Sequence, residues 1–105
     1  MLGPVEVKRM FGGFGLYHQG LFFALVLRDT LYLKTDEENV AEFDALRLEP
    51  FAFEKGGDTI VTAYRMAPEE ALEDARVMAR WAKGADGAAL RKAKRRPARK
   101  KRSES

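Results

Sequence analysis

The chain of 105 residues has no cysteine. That excludes disulfide staples, thiol nucleophiles and cysteine-ligated zinc. It also suits a reducing compartment, so a cytoplasmic location is expected. Serine occurs only at Ser103 and Ser105, which leaves no serine triad in the body of the chain. His18 is the single histidine. It stands in a polar His18-Gln19-Gly20 turn signal and reads as a solvent-exposed turn residue rather than a proton shuttle. The longest apolar run, Leu21 to Leu27, has seven residues, against the roughly 20 that a membrane-spanning helix needs. Met1 to Glu6 lacks a basic stretch followed by an apolar one, so no signal peptide is expected. Asp36-Glu37-Glu38 lacks the ligand spacing of a calcium loop. No metal, cofactor or small-molecule substrate is expected, and no carboxylate pair stands out for acid–base work.

What the chain does have is a split in charge. The formal net charge is +3, but residues 91–105 carry nine basic residues and one acidic residue, while residues 1–90 sum to −5. The body is acidic, and the high isoelectric point belongs to the end of the chain. The basic residues there are Arg91, Lys92, Lys94, Arg95, Arg96, Arg99, Lys100, Lys101 and Arg102. They form a candidate nucleic-acid contact, salt-sensitive and without base readout, because no aromatic or base-reading element accompanies them.

The pattern along the chain is β-β-β-α-β-β-α. Val5 to Tyr17 reads as one strand with a bend at Gly12, Gly13 and Gly15. This cluster matches neither a P-loop nor a dinucleotide fingerprint. A turn at His18-Gln19-Gly20 leads to a strand at Leu21–Leu27, and a turn at Arg28-Asp29 leads to a strand at Thr30–Lys34. Thr35-Asp36-Glu37-Glu38 has the form of a capping box, opening a short helix that ends before Pro50. Phe51–Phe53 and Thr59–Met66 read as a hairpin across Lys55-Gly56-Gly57-Asp58. Pro68 starts a final helix with an apolar stripe of Ala71, Leu72, Ala75, Met78, Ala79 and Ala82, Gly84 ends it, and Asp86 to Lys94 can form a further turn or two of helix. Beyond Pro97 the composition predicts no packed structure. The aromatics Tyr17, Phe22, Phe23, Tyr32, Phe51, Phe53, Tyr64 and Trp81 read as core or dimer packing. A base-stacking platform would need cations among them, and only Lys8, Arg9 and Lys34 stand close in sequence.

Several short motifs carry a family resemblance. They are Arg9-Met10-Phe11-Gly12-Gly13, Gly15-Leu16-Tyr17, Phe23-Ala24-Leu25, Leu31-Tyr32-Leu33-Lys34 and Glu49-Pro50-Phe51, followed by Tyr64, Pro68, Leu72-Glu73-Asp74 and Trp81. Together, over residues 5–85, the chain resembles the N-terminal domain of TfoX/Sxy proteins. The resemblance implies a two-layer α+β fold, with helices packed on an antiparallel sheet. It also implies a role like that of the family's namesakes, which regulate natural competence as coactivators of transcription alongside the cyclic-AMP receptor protein. The chain departs from the family pattern at both ends. Only Met1 to Pro4 precede the first strand, where the family usually has a helix, and a basic tail stands where full-length regulators carry a second domain.

The expectation is therefore an α+β protein with a five-stranded antiparallel sheet. Residues 1–90 form the domain, and residues 91–105 form a basic tail without regular structure. Its function is expected to be that of a non-catalytic regulatory module, with a protein partner and a second copy meeting sheet or helix surface left bare. The alternative is an accessory protein that binds nucleic acid through its tail.

Overall fold

The computed structural model describes residues 3–10 and 12–103, with side chains described as far as Arg95. In chain order the elements are β1 (Val5–Met10), β2 (Gly13–His18), β3 (Leu21–Leu27), β4 (Thr30–Lys34), α1 (Val40–Ala45), β5 (Pro50–Lys55), β6 (Asp58–Met66), α2 (Glu69–Glu73) and α3 (Ala75–Ser103). The strands form one antiparallel sheet in the order β1-β2-β3-β4-β6-β5. The α+β class is as expected, but the sheet has six strands and not five. The segment read as a single bent strand is a hairpin, with pairs running from Met10↔Gly13 to Val5↔His18. A bend and a reversal share the same glycine signature. Here Gly12 takes φ +77°, which suits a two-residue connection between twisted strands.

Other hairpin turns use the same left-handed backbone. Gln19-Gly20 joins β2 to β3, Arg28-Asp29 joins β3 to β4, and Gly56-Gly57 joins β5 to β6, all with positive φ. Such pairs match the right-handed twist of the flanking strands.

A bulge in β3 decides which side chains face the helices. Leu16 pairs with Ala24 while its neighbour Tyr17 pairs with Phe22. Phe23 is thus the extra residue, and the alternation of side chains shifts by one across it. Phe23 and Ala24 both enter the helix-side core, whereas Phe22 and Leu25 turn to the opposite face. This is how a strand apolar at every position serves both faces.

The core lies between the sheet and α1, α2 and α3. Phe23, Leu33, Phe43, Ala71, Trp81, Ala85 and Ala89 are buried together. Phe43 and Trp81 meet edge to face at 4.9 Å. Burying a Phe43-sized side chain contributes about 2–3 kcal/mol. Small residues on α3 let the helix sit close to β3 and β4, since Ala85 and Ala88 have no exposed surface.

Three local expectations are corrected. Thr35 does not cap a helix; its Oγ1 donates to the Ala63 carbonyl at 2.9 Å, fastening β4 to β6. The turn before α1 is built instead by Asp36 and Asn39, with Asp36 N–H donating to Asn39 Oδ1 at 2.8 Å. The last helix is broken at Asp74, which is extended (φ −138°, ψ 116°) and whose Oδ1 accepts from Arg76 N–H at 2.9 Å. That break turns Leu72 out of the expected stripe, leaving it 61% exposed. Gly84 does not end the helix: α3 continues past it, and the Gly84 carbonyl accepts from Asn39 Nδ2 at 3.2 Å. The backbone of α3 continues past Gly84 as far as Ser103.

Candidate interaction surface on the open face of the sheet

The face of the sheet opposite the helices is aromatic and uncovered. Alternation along each strand, with the β3 bulge included, brings Tyr17, Phe22, Leu25, Tyr32, Phe51, Phe53 and Tyr64 to this side. Rings touch in two runs. Tyr17 stacks on Phe22 at 5.1 Å, and Phe22 meets Tyr64 at 5.3 Å. Tyr32 meets Phe51 at 5.4 Å, and Phe51 stacks on Phe53 at 5.9 Å. The sheet curves around them and forms a concavity of about 1170 Å³. Arg28 and Glu54 are its charged lining residues.

Two lysines complete the surface. Lys8 Nζ lies 4.8 Å from the Tyr17 ring centroid, and Lys34 Nζ lies 4.7 Å from that of Tyr64. A cation over a ring face is held by the ring quadrupole. Lys34 is buried. Burial pushes the Tyr64 hydroxyl well above its ordinary pKa, and the nearby Tyr17 adds to the shift. Tyr64 therefore stays a neutral phenol. Thr62 Oγ1 donates to the Phe51 carbonyl at 2.8 Å and fixes the irregular stretch of β5.

The motif residues singled out in the sequence have distinct places. Tyr17, Lys34 and Phe51 belong to the open face, and Pro50 also lines its concavity. Met10 and Gly15 lie beneath Phe22: a Cβ on Gly15 would come within 2.7 Å of Met10 Cε and 3.0 Å of Phe22 Cε1. Gly12 turns the first hairpin. A Cβ on Gly13 would fall on the Val26 carbonyl oxygen. Arg9 is exposed and pairs in register with Phe14. Phe11 lies outside the described residues. Of the other aromatics, Phe23 and Trp81 belong to the core and not to this surface.

The basic segment is partly tied to the body. Arg91 grips Asp36 with two hydrogen bonds, Nε to Oδ2 at 2.6 Å and Nη2 to Oδ1 at 2.9 Å. Its Nη1 lies 3.4 Å from Glu38 Oε1, and Arg95 Nη2 lies 2.8 Å from Glu37 Oε2. The Arg91 guanidinium holds the Asp36 carboxyl below its ordinary pKa, and Asp36 in turn raises that of Arg91. Glu37 is also lowered, first by its own backbone N–H and then by Arg95. Lys92 and Lys94 are exposed. The side chains of Arg96, Arg99, Lys100, Lys101 and Arg102 lie outside the described residues. His18 departs from its expected place. It is half-buried at the end of β2, with Nδ1 2.9 Å from Asp86 Oδ1 on α3. The sequence signal for that pair is weak, since 68 positions separate the two residues.

Among the described residues, no group of three or more His, Asp or Glu side chains could hold a metal ion, and no helix is long and apolar enough to cross a membrane. No curated protein matches the chain. A comparison with protein families matches residues 1–89 to the TfoX N-terminal domain. With an antiparallel sheet, helices on one face and a match over most of its length, the chain belongs to the TfoX N-terminal domain family.

Proposed function

We propose that this domain is a non-catalytic regulatory module that binds a protein partner on the open aromatic face of its sheet. The observation that carries this reading is the concavity floored by Phe22, Tyr32, Phe51, Phe53 and Tyr64, which no helix covers. Exposed aromatic surface of this kind is typical of binding sites and is otherwise a liability in solution. The polar groups on this face support the same reading. Lys8 and Lys34 are engaged with rings, Thr62 is bonded to backbone, and Tyr64 stays neutral. Family membership supports a regulatory role, and in this reading the module acts in the cytoplasm in the setting of transcription and competence regulation.

The test compares the whole chain with Phe53→Glu, a substitution at a residue 42% exposed. Both serve as bait in extracts of the source cells, with and without nuclease. The expected result is a set of proteins that survives nuclease treatment and is lost with Phe53→Glu, while circular dichroism shows the variant folded. A set that is the same for both baits removes the reading.

A second reading has its own observation. Lys92 and Lys94 are exposed on a helix that continues into the basic segment. This favours sequence-nonspecific contact with DNA or RNA through the end of the chain.

A further inference from the structure

We propose that two copies of the chain join edge to edge through β1, with Val7 of one copy opposite Val7 of the other. The two-fold axis stands perpendicular to the sheet, and the two sheets become one.

The two outer strands of the sheet differ in how they meet solvent. β5 begins with Pro50, which has no N–H to offer a further strand. Proline blunts an edge against further pairing. β1 has no proline, and its six residues pair with β2 in consecutive register without a shift. Its residues from Val5 to Arg9 are exposed, and Val7 is 60% exposed. This is the regular edge, with unused backbone groups.

The hairpin fixes which groups are unused. Met10 and Gly13 close a two-residue connection, so they form a hydrogen-bonded pair. Alternation then turns the N–H and C=O of Lys8 and Glu6 toward β2. Those of Val5, Val7 and Arg9 point out of the sheet. A second antiparallel strand can take them.

The side chains choose the register. A two-fold axis perpendicular to the sheet keeps each face on its own side, so opposed residues must come from the same face. Centring the pair on Glu6 opposes two carboxylates, centring it on Lys8 opposes two ammonium groups, and centring it on Arg9 opposes two guanidinium groups. Like charges directly opposite disfavour pairing. Centring it on Val7 opposes valine with valine and Val5 with Arg9. It also places Glu6 opposite Lys8 twice by symmetry, in non-hydrogen-bonded positions where cross-strand side chains lie closest. The sequence Val5-Glu6-Val7-Lys8-Arg9 is self-complementary about its middle residue in this register. Joined this way, both open aromatic faces lie on the same side of one sheet, a bivalent surface for whatever binds there. The proposal does not depend on that binding: Lys8 belongs to both surfaces, but self-association of the chain is read with no other partner present.

The experiment uses the whole chain in analytical ultracentrifugation at low salt, with three variants and two cysteine probes. The wild type is expected to self-associate. Glu6→Lys is expected to weaken association on the order of tenfold or more, since it creates two like-charge contacts. Lys8→Glu is expected to do the same, and the double variant Glu6→Lys with Lys8→Glu to restore association. The absence of native cysteine makes covalent capture clean. Opposed Cα atoms in a hydrogen-bonded antiparallel pair lie about 5.5 Å apart, within the range a disulfide spans. Val7→Cys is therefore expected to cross-link rapidly on mild oxidation, faster than Leu72→Cys on the exposed side of α2. A wild type that stays monomeric across the concentration range overturns the proposal. So does a dimer indifferent to Glu6→Lys, or a double variant that remains folded but is not restored. Equal cross-linking at positions 7 and 72 counts against it in the same way.

Discussion

Gly13 and Gly15 are two residues apart on β2 and meet very different neighbours. A Cβ on Gly13 would strike the Val26 carbonyl oxygen, which is backbone of the adjacent strand. A Cβ on Gly15 would press on Met10 Cε and Sδ at 2.7 and 2.9 Å and on Phe22 Cε1 at 3.0 Å. Methionine is the most adaptable apolar side chain and can swing aside, whereas a ladder carbonyl cannot move without parting β2 from β3. Gly13→Ala is therefore expected to cost about 3 kcal/mol and Gly15→Ala about 1 kcal/mol. Urea denaturation of the two variants checks the order; equal losses would mean that β2 and β3 part easily. The glycine cluster was legible in the sequence as a place where the backbone needs room. Its three separate uses were not: Gly12 makes a reversal through its positive φ, where a bend carries the same signature, while Gly13 and Gly15 depend on backbone and side chains of neighbouring strands.

At the scale of elements, the acidic turn before α1 and the middle of α3 are joined by Arg91 and Asp36. The pair is bidentate, with Asp36 12% and Arg91 29% exposed at the side chain. A charged hydrogen-bonded pair in this setting contributes about 2 kcal/mol. Because Asp36 is lowered below 3.8 in the folded chain, the unfolded chain takes up its proton first as pH falls. The stability from this pair is full above 3.8 and is lost as pH drops through the folded value. Asp36→Asn is expected to melt lower than wild type at pH 7, and the gap is expected to close in acid. Thermal melts from pH 7 to pH 3 check this; a gap constant with pH would mean that charge plays no part. This contact also shows where sequence reading stopped. Asp36-Glu37-Glu38 was legible as a turn at a helix start, and Arg91 as a cation. Their union needed the path of α3 past Gly84, where the helix runs on through a glycine stop signal. The hairpins were legible wherever a short polar turn divided two apolar runs, as at Gln19-Gly20 and Gly56-Gly57. The aromatic face was legible only as a list of residues. One extra residue at Phe23 reverses which side chains of β3 face which way, and strict alternation misplaces half of that strand.

Over the whole molecule, charge is divided between a body of net −5 and a final segment of net +8. That division alone predicts attraction of the segment to phosphate and repulsion of the body from it. The fold modifies the prediction. Arg91 is engaged by Asp36 and Glu38, and Arg95 by Glu37, so these two cations must leave carboxylates before they can meet phosphates. The acidic turn thus competes with nucleic acid for the root of the basic helix. Lys92 and Lys94 are exposed with no ion pair among the described residues, and they are free to act at once. Two substitutions separate these roles in the full chain. Lys92→Glu with Lys94→Glu is expected to weaken binding to duplex DNA of any sequence and to lower the slope of log affinity against log salt by about 2, close to one for each lysine removed. Glu37→Gln with Glu38→Gln is expected to strengthen binding and steepen that slope by about 1, because Arg95 loses its carboxylate and Arg91 keeps only Asp36. Fluorescence anisotropy across a salt series reads both effects on one probe. If reversing the lysines leaves affinity and slope unchanged, the exposed lysines of the basic segment do not contact DNA, and the nucleic-acid reading of that segment falls.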